Sequence, residues 1–315
     1  MRPTRWILPT MMILLAAGPL HAQDRHRDIL AENLQGRLDS LANDFDGVAG
    51  IQIVDLVDGR RIGANQDLVF PQGSAIKIPI LLELFRRAED DPDILLRRVE
   101  ITDDVAVGGS GVLQHLTRRG SALSLEDLAV LMITESDNTA TNVLIRTVGM
   151  DAVNALMDRL GAPSTRLQRE MIRPDASARG EENLSTPAEA AMLMARIHRC
   201  DLPLSEAACT RVRDILEIPK GGPVGAPIPS GVPVAFKPGG VEGVTTVWAL
   251  VGLPGRPYAL AVMSTYGGDG GALVRASSEA AWGYFSKLAR ATEHGVRVPL
   301  DVLLRERGDT VGGTP

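Results

Sequence analysis

The chain has 315 residues, of which 44% are hydrophobic, and a formal net charge of −6 at pH 7. An acidic chain is not attracted to nucleic acid or to an anionic membrane, so we exclude both as partners. The length suits one large domain or two intertwined ones.

Residues 1–22 are typical of a secretory signal peptide. Arg2 and Arg5 precede an apolar stretch that ends near Leu20, and Ala22 offers a small residue for cleavage. The stretch is shorter than the roughly 20 apolar residues of a membrane span, and no cysteine follows it that could carry a lipid. We therefore expect an exported, soluble protein, periplasmic or secreted, without a stable membrane anchor.

The first elements of the mature chain are a helix and a hairpin. Residues 27–44 repeat apolar side chains at helical spacing and predict an amphipathic helix. Residues 47–56 alternate in the manner of a strand, Asp58-Gly59 is a hairpin turn signal, and residues 60–64 are predicted as the returning strand. A second helix is predicted at Ser74.

The middle of the chain, residues 93–218, has a helical pattern broken by loops. Ser124 caps one helix and acidic residues follow in its first turn. Further helices are predicted from Thr139 and from Asp151. Residues 161–185 show no clear period, and a loop of this length inside a compact domain is usually functional.

Strand patterns return after a connection rich in glycine and proline. They cover residues 232–237, 244–253 and 258–265, and residues 269–292 are predicted as a closing helix. Strands near both ends of the chain therefore enclose the helical middle.

We predict an α/β (α+β) fold in which an antiparallel sheet is flanked by helices and carries an inserted all-helical subdomain. Residues 23–70 and 219–292 form the sheet subdomain, residues 71–218 the helical one, and residues 293–315 a C-terminal tail. Because clefts between such units are favoured ligand sites, we expect the functional site there.

The two cysteines, Cys200 and Cys209, leave two possibilities open. In an oxidising compartment they could pair and close a short loop between two helices. They could equally be two buried free thiols.

Ser74 and Lys77 are the first candidates for chemistry. Residues three apart on a helix share a face, so Ser74 Oγ and Lys77 Nζ can meet in one pocket. A serine hydroxyl attacks after a base takes its proton, and a lysine can be that base if burial lowers its pKa. Only four of the 33 basic residues are lysines, and arginine cannot serve as a general base. The alternative is a simple helix start.

Two further groups lie at the ends of predicted elements. Ser136-Asp137-Asn138 stands at a corner between two helices, where a helix cap would also explain it. Lys237-Pro238-Gly239-Gly240 stands near the end of a strand, where a strand leaving into a turn would also explain it.

In this order the three groups resemble the motifs of the class A β-lactamases and of the penicillin-binding serine hydrolases around them. That family shows Ser-x-x-Lys, Ser-Asp-Asn and Lys-Thr-Gly on separate elements. The resemblance also takes in residues 109–113, residues 131–142 and Thr186-Pro187, and it extends over about residues 27–292. It implies a serine β-lactamase-like fold.

The resemblance implies a role for each side chain. Ser74 would attack the lactam carbonyl and form an acyl-enzyme, with Lys77 within reach of its proton. In this family either the lysine or a glutamate-bound water accepts that proton. Ser136 would relay the proton to the leaving nitrogen, and Lys237 would place positive charge near Ser136 and the substrate carboxylate. Asn138 would hydrogen-bond the side-chain amide of the substrate.

The resemblance also implies that backbone groups complete the site. The N–H groups of Ser74 and Gly240 would form an oxyanion hole. Gly239, beside Gly240, would belong to the same substrate-binding segment.

Two departures from the family pattern bear on substrate binding. Pro238 stands where a threonine is expected and has neither a hydroxyl nor an N–H to offer. Residues 244–248 lack the arginine that often binds the substrate carboxylate in this family. Lys220, Thr245 or Thr246 could take its place.

The long loop departs as well. Class A enzymes activate the deacylating water with a glutamate in a Glu-x-x-Leu-Asn motif. Counting back from Thr186-Pro187 puts Glu170 at that place, without the leucine and the asparagine. Asp175, Glu181 and Glu182 are close in sequence, and all four carboxylates could equally belong to a solvated acidic loop.

We therefore predict a monomeric serine hydrolase that opens β-lactam rings. One alternative is a peptidase or esterase acting on D-alanyl-D-alanine-like peptides with slow or no β-lactam turnover. Another is a non-catalytic protein that senses β-lactams or peptidoglycan. Histidines that form no cluster argue against zinc, and we predict no metal and no cofactor.

Overall fold

The computed structural model describes residues 20–116, 121–292, 294–299, 301, 302 and 305. Its helices are α1 (Leu20–Asn43), α2 (Lys77–Asp90), α3 (Leu125–Thr134), α4 (Asn138–Val148), α5 (Met150–Arg159), α6 (Pro174–Ala178), α7 (Pro187–Arg199), α8 (Glu206–Glu217) and α9 (Gly270–Arg290). Its strands are β1 (Val48–Asp55), β2 (Arg61–Ala64), β3 (Phe70–Pro71), β4 (Arg98–Ile101), β5 (Ser121–Ser124), β6 (Leu184–Ser185), β7 (Val234–Val241), β8 (Val244–Val251) and β9 (Tyr258–Thr265). A short 3₁₀ helix, Gly73–Ile76, leads into α2.

One antiparallel sheet joins the two ends of the chain. Its strand order is β2-β1-β9-β8-β7, and the register sets Ile51 of β1 opposite Val262 of β9. Two small antiparallel pairs, β3 with β6 and β4 with β5, lie outside it. The predicted fold class, an antiparallel sheet built from both ends around a helical block, is confirmed.

The sheet separates two hydrophobic cores, because side chains alternate between the faces of a strand. Val262 and its neighbours on one face pack with α1 and α9, where Leu38 and Phe285 are fully buried. Trp248 and Met263 on the other face pack with the helical block. Both faces are therefore covered, and β1 and β9 are buried along almost their whole length.

The structure shifts two predicted boundaries. Helix α1 begins at Leu20 rather than at residue 27, while most of the predicted signal peptide lies outside the described residues. Strand β7 continues to Val241, so Pro238 lies within the strand rather than at its exit. β7 is an edge strand, and an edge tolerates the missing proline N–H.

Cys200 and Cys209 form a disulfide, which decides between the two possibilities left open by the sequence. Cys200 caps the end of α7 and Cys209 lies in α8, so the bond ties these two helices together. Among the described residues no helix combines the length and the apolar character needed to cross a membrane.

Candidate active site

Ser74 lies where the sheet meets the helical block. It belongs to the 3₁₀ helix that precedes α2, and it lines a cavity of about 380 Å³. Gly73 has a positive φ of 49°, and a Cβ there would lie 2.7 Å from Gly240 N. Only glycine permits so close an approach, so the sequence brings the backbone of β7 against the serine segment.

Gly239 makes the second close approach in this place. A Cβ at Gly239 would lie 2.3 Å from Gln72 O and 2.6 Å from Ala75 N. Both atoms belong to backbone that cannot move without moving Ser74. Gly239 is therefore required by packing as well as by the motif.

We expect Gly239→Ala to lower the free energy of unfolding by about 1–3 kcal/mol, the usual cost of overpacking a tight contact. Thermal denaturation measures the change. Gly36→Ala is the matched control, because Gly36 lies in α1 with no atom within 4 Å of its Cβ position. An unchanged melting temperature for Gly239→Ala would contradict the packing argument.

A buried glutamine holds the serine segment in place. The Gln72 side chain donates to Phe70 O over 2.9 Å and accepts from Trp248 Nε1 over 2.9 Å. Its backbone carbonyl accepts from Thr246 Oγ1 over 2.8 Å, and its N–H donates to Asn183 O over 2.8 Å. One residue thus ties the approach to Ser74 to the sheet and to the long loop.

Lys77, the first residue of α2, is fully buried among hydrogen-bond acceptors. Its Nζ lies 2.7 Å from Ser136 O, 3.1 Å from Ser136 Oγ and 3.1 Å from Asn138 Oδ1. The two carbonyl oxygens can only accept, so a neutral amine spends its two N–H groups on them and keeps its lone pair for a hydroxyl proton.

The electrostatics favour that neutral amine. Burial lowers the pKa of Lys77 well below its usual 10.5, and the positive charge of Lys237 lowers it further. Asp137 acts in the opposite direction. Lys77 therefore has the property that the sequence argument demanded of a general base.

Ser136 stands between two lysines. Lys237 Nζ is 3.1 Å from Ser136 Oγ, the same distance as Lys77 Nζ on its other side. Ser136 has a positive φ of 53°, a conformation that non-glycine residues rarely adopt and that is common at functional sites. The structure brings Lys77, Ser136 and Lys237 together.

Asp137 and Asn138 build the corner that presents Ser136. The Asp137 carboxylate caps α4 by accepting from Ala140 N over 2.9 Å, and it also accepts from Val112 N and Leu113 N. Asn138 donates from Nδ2 to Gly108 O over 3.1 Å. The cap expected as the structural alternative is thus present, and it coexists with the lysine contacts.

Lys237 is also buried, and its Nζ donates to Pro238 O over 2.8 Å. Burial, and secondly the positive charge of Lys220, lower the pKa of Lys237 to about 7. Lys220 Nζ binds the carbonyls of Leu216 and Ile218 at the end of α8 and lies 4.7 Å from the ring centroid of Phe236.

The cavity beside Ser74 is lined by residues of five segments. They are Gly73, Ser74, Gly109, Ser110, Asn138, Arg169, Met171, Ile172, Arg173, Pro174, Ser177, Asn183, Gly240 and Val241. Among the described residues that line it, none is acidic. The two arginines are paired elsewhere, Arg169 with Glu182 and Arg173 with Asp175.

Buried asparagines fix the loop that forms one wall. Asn142 Oδ1 accepts from Met171 N over 2.7 Å, and its Nδ2 donates to Met171 O over 3.2 Å. Asn183 Oδ1 accepts from the backbone N–H groups of Gln168 and Arg169. The loop therefore presents Met171, which is buried, to the cavity in a defined position.

The structure does not bring Glu170 to this cavity. Its carboxylate makes a two-pronged ion pair with Arg146, with Oε1 2.7 Å from Nε and Oε2 3.0 Å from Nη2. Asp175 and Glu181 pair with arginines of the loop and are also absent from the lining. The carboxylates of the loop are thus engaged by arginines.

Two of the three possible substitutes for the missing arginine are placed unfavourably for binding the substrate carboxylate. Thr246 is buried, and its hydroxyl donates a hydrogen bond to Gln72 O. Lys220 does not line the cavity, and its ammonium is occupied by carbonyls. Among the described residues no group of three or more His, Cys, Asp or Glu could hold a metal ion.

Sequence reasoning missed several of these residues. Gln72 and Asn183 lie in no motif, and their polar character in irregular surroundings was the available signal. Asn142 ends the segment 131–142 that carries the resemblance, but the sequence assigned it no role. Buried amides of this kind are retained where they satisfy backbone groups.

Comparison with known proteins gives a consistent result. A profile described as "Beta-lactamase enzyme family" matches residues 33–291. Beta-lactamase L2 of Stenotrophomonas maltophilia is 33% identical over 157 residues, which cover 48% of this chain and 50% of that protein. A beta-lactamase of Streptomyces fradiae is 31% identical over 157 residues, 49% of this chain and 50% of its own. The chain spans about half the length of these curated relatives.

Solved structures match over more of the chain. A beta-lactamase from Sphaerobacter thermophilus superposes with a TM-score of 0.74 at 28% identity, covering 81% of this chain and 97% of its own. The structure of PBP-A superposes with a TM-score of 0.73 at 28% identity, covering 81% and 96%. A mutant of PBP-A has been described as an acyl-enzyme complex with penicillin G.

Proposed function

This chain belongs to the β-lactamase enzyme family, and on that premise we propose that it is a serine hydrolase that opens the β-lactam ring of penicillin-type antibiotics through an acyl-enzyme on Ser74. One observation carries the proposal. Lys77, with its lowered pKa, and Lys237 meet at Ser136 Oγ beside the cavity that Ser74 lines. We propose this arrangement as the route by which a proton leaves the serine nucleophile and reaches the leaving nitrogen.

The proposed reaction begins with attack of Ser74 Oγ on the lactam carbonyl. Lys77 takes the hydroxyl proton on its lone pair as the C–O bond forms. The backbone N–H groups of Ser74 and Gly240 stabilise the oxyanion. Ser136 donates its proton to the lactam nitrogen as the C–N bond breaks, and it is reprotonated from Lys77. The product of this step is an ester on Ser74.

Three further residues complete the proposed site. Lys237 supplies the positive charge that binds the substrate carboxylate. Asn138 accepts a hydrogen bond from the side-chain amide of the substrate, or donates one to it. Gly239 acts by permitting the close approach of β7 to Ser74, as its Cβ position requires.

Lys237 makes carboxylate binding dependent on pH. Its charged form is lost as the pH rises through its pKa of about 7, so KM for an anionic substrate should rise above that pH. Lys220→Met removes a positive charge that lowers this pKa, and the midpoint of the KM rise should move to higher pH by about 0.5–1 unit.

Steady-state kinetics between pH 5.5 and 9 measure this midpoint. Lys220→Arg keeps the charge and should retain the wild-type midpoint. Lys287→Met, on an exposed lysine of α9, is the control for lost charge alone. An unchanged midpoint in Lys220→Met would show that burial alone lowers the pKa of Lys237.

The protein is proposed to act outside the cytoplasm as a monomer on a small-molecule substrate. The apolar stretch before Ala22 supports export. The disulfide between Cys200 and Cys209 supports an oxidising compartment.

A second candidate function is favoured by one specific observation. Glu170 is paired with Arg146, and none of the described residues that line the cavity is acidic. Without a carboxylate to activate water, the acyl-enzyme would persist, as in a penicillin-binding peptidase or esterase. Glu170 stays our prediction for the deacylating base of the leading function, and it must leave Arg146 to act.

Intact-protein mass spectrometry with benzylpenicillin, followed from seconds to hours, tests both candidates. An adduct that forms and clears while penicilloate accumulates supports the β-lactamase. An adduct that stays supports the second candidate. If wild type forms neither an adduct nor penicilloate, both candidates are overturned. Ser74→Ala, which lacks the nucleophile, is the control for adducts at other sites.

A further inference from the structure

Ile172 combines two unusual properties at the cavity. Its φ is +56°, and a β-branched residue in this left-handed conformation is a genuine outlier. Its side chain is apolar, yet 48% of it is exposed. Strained residues that the surroundings hold in place cluster at ligand-binding sites.

The neighbouring residues determine this conformation. Asn142 clamps the backbone N–H and C=O of Met171, immediately before Ile172. Pro174 begins α6 two residues later. The backbone of Ile172 is therefore confined between a buried amide clamp and a proline.

The side chain of Ile172 reaches across the cavity. Its Cδ1 would lie 3.0 Å from a Cβ built on Gly109, which belongs to the opposite segment of the lining. The same Cβ would lie 2.7 Å from Asn138 Nδ2. Ile172 thus covers the backbone of Gly109 directly beside the asparagine expected to bind the substrate amide.

The cavity has further apolar lining residues, and the arginines among its lining residues are ion-paired. Met171 and Val241 line it, and Val241 is 50% exposed. Arg169 and Arg173 face carboxylates, at 2.7 Å from Glu182 and 2.8 Å from Asp175. Nothing in this arrangement selects a charged side chain.

We propose that Ile172 is a specificity-determining residue which, by spanning the cavity to Gly109, admits unbranched apolar acyl side chains of the substrate and excludes bulky ones. The inference rests on the proposed function, because it concerns the group attached to the lactam that acylates Ser74. It also gives a reason for the backbone strain at Ile172: the strained conformation is retained because it places the side chain over the cavity.

Two variants separate the side chain from the strain. Ile172→Ala removes the covering side chain and leaves a residue with a Cβ at a positive φ. Ile172→Gly removes the side chain and the conformational cost together. Both should admit larger substrates, and Ile172→Gly should have a higher melting temperature than Ile172→Ala.

The experiment compares acylation of Ser74 by benzylpenicillin with acylation by a penicillin whose acyl group is a 2,6-disubstituted benzoyl. In both variants the rate ratio should move toward the bulky compound by about tenfold or more, the discrimination expected when one or more carbon atoms are removed from a pocket. Leu96→Ala, at an exposed leucine outside the cavity lining, is the control and should leave the ratio unchanged.

The outcomes distinguish this inference from the function on which it rests. Acylation at an unchanged ratio in both Ile172 variants overturns the inference alone. Failure of both penicillins to acylate wild type and variants overturns the proposed function and the inference with it. A melting temperature of Ile172→Gly at or below that of Ile172→Ala overturns the role of strain.

Discussion

Replacing Lys77 by alanine is expected to reduce the rate of Ser74 acylation by benzylpenicillin about a thousandfold, within the usual range for a lost general base. Lys77 Nζ is the group that contacts both Ser136 Oγ and Asn138 Oδ1, and its lowered pKa leaves it a lone pair. Stopped-flow or quenched mass spectrometry measures the acylation rate directly.

Lys77→Arg separates the base from the charge. Arginine keeps donors and a positive charge but cannot take a proton, so this variant should be about as slow as Lys77→Ala. Lys287→Ala is the matched control on an exposed lysine. Near-normal acylation in Lys77→Arg would mean that Lys77 acts by charge alone. Circular dichroism must show both variants folded, because Lys77→Ala leaves buried acceptors without a donor.

If the acyl-enzyme persists, as in the second candidate function, replacing Met171 by glutamate is expected to shorten the lifetime of the Ser74 adduct by about tenfold or more, short of the full effect of a positioned general base. Met171 lines the cavity, and Asn142 fixes its backbone, so a carboxylate there would face the ester. Burial would raise the pKa of the new carboxyl toward neutrality and make it a better base.

Glu170→Gln is the companion measurement. It removes the carboxylate that Arg146 now holds and keeps the size of the side chain. If Glu170 is the deacylating base, this variant traps the adduct and Met171→Glu adds little. If Glu170→Gln clears its adduct at the wild-type rate and Met171→Glu also does, neither position supports water activation.

The sheet could be predicted from the sequence because its signals are local. The alternation of residues 47–56 and the turn at Asp58-Gly59 come from the geometry of a single strand and a single turn. The disulfide was open, because pairing of Cys200 with Cys209 depends on how α7 and α8 approach each other.

The lysines of the site could be predicted as well, and for a different reason. A chain that uses arginine almost everywhere keeps Lys77 and Lys237 where burial lowers their pKa. The sequence did not predict that Pro238-Gly239-Gly240 lie inside β7, since glycines and a proline usually mark the end of a strand. Here Pro238 stays in the strand because β7 has a free edge.

The wall of the cavity could not be predicted, because it depends on contacts between distant segments. A shift of one residue along an irregular loop decides whether Glu170 or Met171 faces Ser74, and no periodicity fixes that register. Asn142 fixes it in space through two hydrogen bonds to Met171. Gln72 likewise acquires its role only when β8 and β9 arrive beside it.

The pairing of β1 with β9 has a consequence for the order of folding. Helices α2 to α5 make contacts near in sequence and can form early, whereas β1 must wait for a strand close to the other end of the chain. The bonds from Gln72 to Trp248 and Met263 wait with it. A chain whose last strand has not yet joined the sheet can therefore have its helices but lacks the bonds that hold the Ser74 segment, and the site is complete only when β9 pairs with β1.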